Sequence, residues 1–242
     1  MNYKFIGDES ELIKFVDGLR DLGDNEKYLM CLFARKKYDS TGLLKSDKSQ
    51  IKRLISTKEN IINNIKKLQV EVGLYTFDGE PIPEDCFVLY INPTPRDTRL
   101  SYFNILKTIS DSIMNEKFIN PTSMVLNCVH KSKSKRGVFD VDLDLLPNVN
   151  EHYTFDDINK LIVDNDVLPF EAFDLVRTRG GFHVLVKLDL VPNNYKKSWH
   201  NNFNKLFKSN KDIFEDVMMN GDGFIPISGT LQGGKLVSYE KH

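Results

Sequence analysis

Long apolar runs are absent from the sequence, since the longest is under ten residues, and we expect no membrane-spanning segment. The first residues, Met-Asn-Tyr-Lys-Phe, contain no hydrophobic leader, so an intracellular, cytoplasmic protein is expected. Cysteine is scarce: Cys31, Cys86 and Cys128 show no Cys-x-x-Cys spacing. Their odd number and spacing argue against a disulfide framework and a structural zinc site, and favour a reducing compartment.

A large net charge of either sign is also absent, because 33 basic residues nearly balance 34 acidic ones and leave a net charge of −1. The charges are nevertheless segregated along the chain. Residues 35–67 contain ten basic and three acidic residues, a net of +7, and residues 131–136 add +4. Residues 137–176 contain ten acidic residues and one lysine, a net of −9. The basic segments suit a polyanion and the acidic segment suits metal ions, with solvated surface as the alternative for each.

Hydrophobic residues make up 40% of the 242 residues, which is enough for a core in one large domain or two small lobes. Hydrophobic periodicity predicts helices over residues 9–21, 47–68, 100–115, 155–165 and 199–218. Strands are predicted over residues 28–37, 86–91, 123–130, 138–145, 173–177, 183–188, 224–227 and 235–239. Because helices and strands mix and neighbouring strands often pair as hairpins, the sequence predicts an α+β fold with an antiparallel or mixed sheet.

Three aspartates alternate with apolar residues in the strand predicted over residues 138–145. Asp140, Asp142 and Asp144 share one face, successive ones about 6–7 Å apart. Aspartate is depleted in strands and like charges repel, so a bound divalent cation would explain the pattern. Carboxylates at i and i+2 can ligate a pair of Mg²⁺ ions. The alternative is a solvated edge strand whose charges deter aggregation.

The segment of residues 177–183 combines arginines, two glycines and a histidine. Its chemistry-bearing residues are Thr178, Arg179, Gly181 and His183. Glycines let the backbone approach a ligand closely, and arginine offers a forked donor for phosphate. A tight hairpin turn with a hydrogen-bonded histidine is the alternative interpretation.

The segment of residues 222–235 contains a carboxylate, hydroxyl groups, glycines and a lysine. Asp222, Ser228 and Lys235 are its candidate site residues. A Gly/Ser/Thr loop followed by lysine can hold phosphate through backbone N–H groups and a point charge, although the ending of a P-loop is missing. A plain hairpin is the simpler interpretation of this segment alone.

Together, these motifs resemble those of the archaeo-eukaryotic primase (primase-polymerase) superfamily. The family has a strand-borne Asp-x-Asp/Glu, then Ser/Gly-x-His opening a strand, then a third carboxylate before a Pro-x-Gly-Ser/Thr stretch. The matches here are Asp140-x-Asp142, Gly181-x-His183 and Asp222 before Pro226. The resemblance covers about residues 86–239 and also includes an Asn-Pro segment followed by Arg96. The chain departs from the family in lacking a cysteine/histidine zinc module and in having Gln232 where many members have histidine.

The resemblance implies a two-lobed fold, with an N-terminal α/β lobe (residues 1–119) and an RRM-like catalytic lobe (residues 120–242). It implies a minimal viral, plasmid or bacterial DNA primase that makes or extends primers by two-metal nucleotidyl transfer. Asp140, Asp142 and Asp222 would ligate Mg²⁺ or Mn²⁺, with Asp144 and Asp216 left open as contributors. His183, Arg179, Gly181, Thr178, Ser228 and Lys235 would bind the nucleotide, an NTP or a dNTP.

The basic segments would then hold a single-stranded DNA template or its primer. The residues predicted to do so are Arg35, Lys36, Lys37, Lys52, Arg53, Arg96, Lys133, Lys135 and Arg136. A helicase would have to be a separate chain, and no membrane partner is expected. Two alternatives remain: a catalytically weak nucleic-acid-binding protein of the same fold, and a metal-dependent nuclease or phosphodiesterase using the same carboxylates.

Overall fold

A computed structural model describes residues 1–47 and 49–242 of the chain. The helices are α1 (Glu9–Gly18), α2 (Ile61–Leu68), α3 (Thr98–Met114), α4 (Pro121–Lys131), α5 (Pro147–Asn150), α6 (Phe155–Asp164) and α7 (Trp199–Ser209). The strands are β1 (Glu26–Ala34), β2 (Ser49–Ser56), β3 (Thr76–Phe77), β4 (Glu80–Pro81), β5 (Phe87–Asp97), β6 (Val138–Leu145), β7 (Phe173–Arg177), β8 (Gly181–Lys187), β9 (Phe214–Asn220), β10 (Ile225–Pro226), β11 (Leu231–Gln232), β12 (Lys235–Leu236) and β13 (Ser238–Glu240). The α+β prediction is confirmed, and the strand pairs of the described residues are antiparallel.

The first sheet has the order β10-β5-β1-β2. Helices α1 and α2 cover it, burying Leu12, Phe15, Ile61 and Ile65 in the first of two apolar cores. Helix α1 begins where predicted, because the Asp8 side chain accepts hydrogen bonds from the first N–H groups of the helix. Burial of this apolar face, rather than helix propensity, therefore holds the short helices in place.

The second sheet has the order β13-β7-β8-β6-β9. Strands β6 to β9 and helices α6 and α7 follow one another as β-α-β-β-α-β, with β6 between β8 and β9. Both helices lie on the face of β6 that carries Val141 and Leu143, where Ile158 of α6 and Phe203 of α7 complete the second core. The opposite face of this sheet turns toward the first sheet, since Leu185 of β8 packs in the first core.

The predicted helix over residues 47–68 is wrong in its first half. Residues Ser49–Ser56 form β2, an edge strand paired with β1, and only Ile61–Leu68 are α-helical. Ile51, Leu54 and Ile55 have helical spacing by coincidence, while the edge position leaves Ile55 53% exposed. Lys48, within both the predicted helix and the basic segment, lies outside the described residues.

Two other elements were predicted with the wrong type. Residues 123–130, predicted as a strand, belong to helix α4, which starts with Asn120 as its cap and Pro121 in its first turn. Residues 214–218, predicted as the end of a helix, belong to strand β9, which pairs with β6. The basic segment of residues 131–136 therefore links a helix to β6 and is not the turn of a hairpin.

Strand β5 continues past Ile91, the end of the predicted strand, through Asn92 and Pro93 to Asp97. The strand tolerates its prolines because its register with β1 shifts there: Leu29 pairs with Asn92, but Lys27 pairs with Arg96. Such an irregularity leaves proline out of the hydrogen-bond ladder. The division at residues 119/120 stays a prediction; α3 and α4, on either side of it, contact each other. Within residues 1–47 and 49–242, no helix is both long and apolar enough to cross a bilayer.

Candidate active site

The three aspartates of β6 lie on the face opposite the second core, as predicted. Val141, Leu143 and Leu145 are buried among the helices, whereas Asp140, Asp142 and Asp144 line a cavity of about 420 Å³ between the two sheets. Strand β6 lies inside its sheet, and Asp140 is 1% exposed. The alternative of a solvated edge strand is therefore wrong.

His183 of β8 lies directly beside these carboxylates, because Asp142 and His183 are paired across the two strands. Its Nδ1 donates to Oδ1 of Asp140 at 2.9 Å, and its Nε2 is 3.5 Å from Oδ1 of Asp142. Burial alone would lower the pKa of His183, but the carboxylates of Asp140, Asp142 and Asp144 outweigh it and raise the pKa to about 9. The imidazolium thus offsets part of the charge that three aspartates place on one strand face.

The turn between β7 and β8 brings the backbone against the aspartate strand. A Cβ atom on Gly181 would come within 1.8 Å of the carbonyl oxygen of Leu143, so only glycine fits there. The Thr178 hydroxyl bonds the N–H of Gly181 at 3.2 Å and closes the turn. Asp144 lies beside this turn, and burial, followed by the carboxylate of Asp142, raises the pKa of Asp144.

The opposite wall of the cavity is basic and aromatic. Arg35 and Lys37 follow β1 and line the cavity with Phe33, Tyr90 and Phe224. The guanidinium of Arg35 bonds the Tyr90 hydroxyl and is therefore fixed at the wall. Burial, and then repulsion from Arg35, lowers the pKa of Lys37. The cavity thus places cations opposite carboxylates, which suits a ligand that carries phosphate and a metal ion.

The predicted nucleotide-binding residues reach the cavity only in part. Thr178 and His183 line it. Arg179 joins the turn to the β11–β12 hairpin, since its N–H donates to Gln232 at 2.9 Å and its guanidinium lies over the Tyr38 ring at 4.9 Å. Lys235 is exposed on β12. Ser228 is fully buried and does not line the cavity, so the structure does not bring its hydroxyl to a ligand there.

The Asp222 side chain is held away from the aspartates of β6. Its carboxylate lies 2.5 Å from Nζ of Lys133 and 3.5 Å from Nη1 of Arg96, and it does not line the cavity. The next residue, Gly223, does line the cavity, and a Cβ there would lie 3.0 Å from Oδ2 of Asp140. The backbone therefore passes the aspartates while the Asp222 side chain points into an ion cluster. Asp216 is exposed on β9, opposite Asp144.

The residues predicted to bind nucleic acid are scattered over several environments. Arg35 and Lys37 line the cavity, Lys36 and Lys52 are exposed, and Arg53 bonds Gln50 at 2.7 Å. In the second basic segment, Lys133 pairs with Asp222, Lys135 lies 3.3 Å from Asp189, and Arg136 lies over the Phe139 ring. Arg96 is 1% exposed, which is at odds with direct contact to a DNA phosphate.

Several residues of the cavity were not identified from the sequence. Phe33 and Phe224 give it an apolar side, and Met218 and Asn220 of β9 close it near Asp140. Met218 lies at the end of the predicted helix over residues 199–218, and Asn220 follows it in a segment with no predicted element. Reading it as a strand would have placed them on the same face, two residues apart.

The carboxylates have the donor chemistry that Mg²⁺ and Mn²⁺ prefer, namely hard oxygen ligands. In the part of the chain that the structure describes, no three His, Cys, Asp or Glu side chains converge closely enough to hold a metal ion. Mg²⁺ is commonly bound through one or two carboxylates, with waters and substrate phosphates as its remaining ligands. Asp140 and Asp142 fit such a site, in which the nucleotide supplies part of the coordination.

Comparison with known proteins found no matching family model, no matching curated protein and no matching solved structure.

Proposed function

We propose that this protein is a template-directed nucleotidyltransferase of the primase-polymerase type, which makes or extends short primers. The observation that carries the proposal is the cavity between the sheets. Asp140, Asp142 and His183 form one wall, and Arg35 and Lys37 form part of the other. This distribution suits a nucleoside triphosphate, whose phosphates need cations and whose metal ions need carboxylates.

The topology of residues 138–220 supports the finer fold assignment. The β-α-β-β-α-β succession, with both helices on one face and the strand order β7-β8-β6-β9, is shared by ferredoxin-like folds. The cavity lies on the other face of this sheet. On this basis, residues 120–242 would form the RRM-like catalytic lobe and residues 1–119 the N-terminal lobe. Strand β10 crosses that division, because it pairs with β5 of the first sheet.

Asp140 and Asp142 would hold Mg²⁺ or Mn²⁺, and such an ion would supply Lewis-acid chemistry that acidifies a 3′-hydroxyl and offsets phosphate charge. His183 orients Asp140 through its 2.9 Å hydrogen bond. Arg35 and Lys37 would bind the triphosphate across the cavity. Asp144 also lines the cavity, whereas Asp222 is paired with Lys133, so the metal site would rest on two carboxylates and the nucleotide.

The substrates would be a single-stranded DNA template and an NTP or dNTP. Exposed Lys36 and Lys52 would contribute to binding the template phosphates. A helicase, supplied as a separate chain in the cytoplasm, would deliver the single strand.

The test is primer synthesis and primer extension on single-stranded DNA with labelled nucleotides and Mn²⁺ or Mg²⁺. Wild type should incorporate nucleotide. The incorporation activity of Asp142→Asn should fall by more than roughly 10–100-fold. A fall of roughly 10–100-fold is typical when the residue removed only orients a metal ligand. Asp24→Asn, an exposed carboxylate in a loop before β1, is the matched control and should retain activity. Failure of wild type to incorporate any nucleotide, or full activity of Asp142→Asn, would contradict the proposal.

One observation favours a second candidate, a nucleic-acid-binding protein without catalysis. The Asp222 carboxylate is already engaged by Lys133 and Arg96, so the family's third ligand does not face the cavity. Tight binding of single-stranded DNA with no incorporation by wild type would identify this alternative. Shortening of the DNA in the absence of nucleotide would identify a nuclease instead.

A further inference from the structure

Helix α3 turns its polar side toward the protein and its apolar side toward solvent, the reverse of an ordinary surface helix. Its side toward α4 is mostly small and polar: Ser101 is buried, Asn104 donates to the Ser132 hydroxyl at 3.1 Å, and Thr108 lies 3.7 Å from the Cys128 sulfur. Its other side is apolar and faces solvent. A surface helix normally buries its apolar face, so this orientation indicates that another surface covers α3.

The exposed face of α3 is large. Phe118, in the turn that follows the helix, extends it. The exposed apolar side chains are Leu100 (40%), Tyr102 (64%), Phe103 (64%), Leu106 (68%), Ile109 (40%), Ile113 (73%), Met114 (79%) and Phe118 (93%). The three aromatic side chains alone would bury about 330–550 Å², and the five aliphatic ones a comparable area. The total approaches the roughly 800 Å² that each partner buries in a standard interface, and exceeds the 300–600 Å² patch of a typical monomer.

The spacing and charge of this face indicate what covers it. Tyr102, Leu106, Ile109 and Ile113 follow a 4-3-4 spacing, which is the seam of a helix that packs on another helix. Within α3, all of which the structure describes, no charged residue is part of this seam, although exposed Arg99 precedes it and exposed Lys107 lies beside it. Two isolated basic side chains do not give this face the cluster of cations that binds a DNA backbone or an anionic lipid surface. It does offer an apolar partner for an identical seam.

We propose that the α3–α4 hairpin is a dimerisation surface, which packs against the same hairpin of a second copy of this chain. Two hairpins meeting through α3 form a four-helix arrangement in which every seam residue faces an apolar residue. A two-fold axis makes the contact self-complementary, so one sequence supplies both halves. The surface lies outside the cavity lining and does not depend on the proposed function.

The test is sedimentation velocity of the full chain at about 50 µM, which is above the micromolar-to-picomolar range of standard interfaces. Wild type should sediment as a dimer, and Leu106→Glu and Ile113→Lys should each sediment as monomers. These side chains are exposed, so both variants should keep the wild-type circular dichroism spectrum and melting temperature. Leu74→Glu is the matched control, since Leu74 is also 68% exposed but lies in the loop after α2, and it should remain dimeric.

Other results would overturn the proposal. A wild-type monomer at 50 µM would do so, as would dimers of Leu106→Glu and Ile113→Lys. If wild type is a monomer that cosediments with phosphatidylcholine–phosphatidylserine vesicles, and Leu106→Glu does not, the face binds a membrane surface instead.

Discussion

Three carboxylates surround the His183 side chain and control its pKa. A measurement on His183 therefore tests the electrostatics of the whole aspartate cluster. The pKa of His183 is raised to about 9 in the folded protein, whereas an unfolded chain gives about 6.5. The folded state therefore holds this proton more tightly than the unfolded state. The resulting stabilisation is complete below about pH 6.5 and is lost as the pH rises through 9.

We expect the free energy of unfolding of the metal-free protein to fall by up to about 3 kcal/mol between pH 6.5 and pH 9. Urea denaturation in EDTA at several pH values measures this. His183→Gln cannot carry the proton and should flatten the curve in that window, while His200→Gln, at an exposed position on α7, should keep the wild-type slope. Equal slopes for wild type and His183→Gln would show that the histidine is not charged in the folded protein.

Gly181 allows the turn to approach the aspartate strand, and its replacement should disturb the site. Gly181→Ala places a methyl group within 1.8 Å of a backbone oxygen, so strands β6 and β8 must separate. The free energy of unfolding, measured by urea denaturation, should fall by at least about 1–3 kcal/mol. Gly180→Ala, whose Cβ would meet only the Asp144 carboxylate at 3.1 Å, is the control and should lose less. Equal losses would mean that the close approach is not what requires glycine.

Secondary-structure elements differ in how well the sequence predicts them. Strand β6 was predicted with its observed bounds, because alternation over eight residues has no helical interpretation. Strand β2 is predicted as helix, because its apolar residues also fit a spacing of three and four, and residues 214–218 of β9 fall in the predicted helix over residues 199–218. What distinguishes them is pairing with β1 and β6, which is a tertiary contact. The Asn120-Pro121 pair is a sequence signal for the start of helix α4, with asparagine as the cap and proline in the first turn.

Helix α6 is held at its start by a capping box, in which Thr154 and Asp157 exchange side-chain and backbone hydrogen bonds. Thr154→Ala should therefore lower the free energy of unfolding by about 0.5–2 kcal/mol. Ser198→Ala is the matched control, since Ser198 stands at the start of α7 but makes no side-chain capping bond there, and its effect should be smaller. Thermal denaturation of the two variants measures the difference. A larger loss for Ser198→Ala would contradict the assigned cap.

At the scale of the whole molecule, near-neutral charge conceals a division between basic and acidic parts. The two sheets face each other with the aspartates of β6 on one side and the cations after β1 on the other. Sequence motifs predicted Asp140, Asp142 and His183 as neighbours, and the structure brings them together. The same motifs could not show that Asp222 pairs with Lys133, because that contact depends on how residues 221–223 pass between the sheets.

Binding of single-stranded DNA should weaken with salt, with a slope of about 0.7 in log K per log salt for each phosphate contact. Lys36→Gln combined with Lys52→Gln should reduce that slope by about 1.4, because both lysines are exposed in the basic segment. Lys4→Gln combined with Lys241→Gln removes the same charge from exposed sites elsewhere. Fluorescence anisotropy of a labelled oligonucleotide measures both, and an equal loss of slope in the control would contradict a localised binding surface.

The central claim is that the cavity between the sheets binds a metal ion and a nucleotide together. The most direct measurement is a crystal structure of the protein with Mn²⁺ and a non-hydrolysable nucleoside triphosphate, with anomalous scattering used to find the metal. We expect Mn²⁺ on the carboxylates of Asp140 and Asp142, with the triphosphate between them and Arg35. Mn²⁺ or nucleotide bound elsewhere, with these aspartates still bonded only to protein, would contradict it.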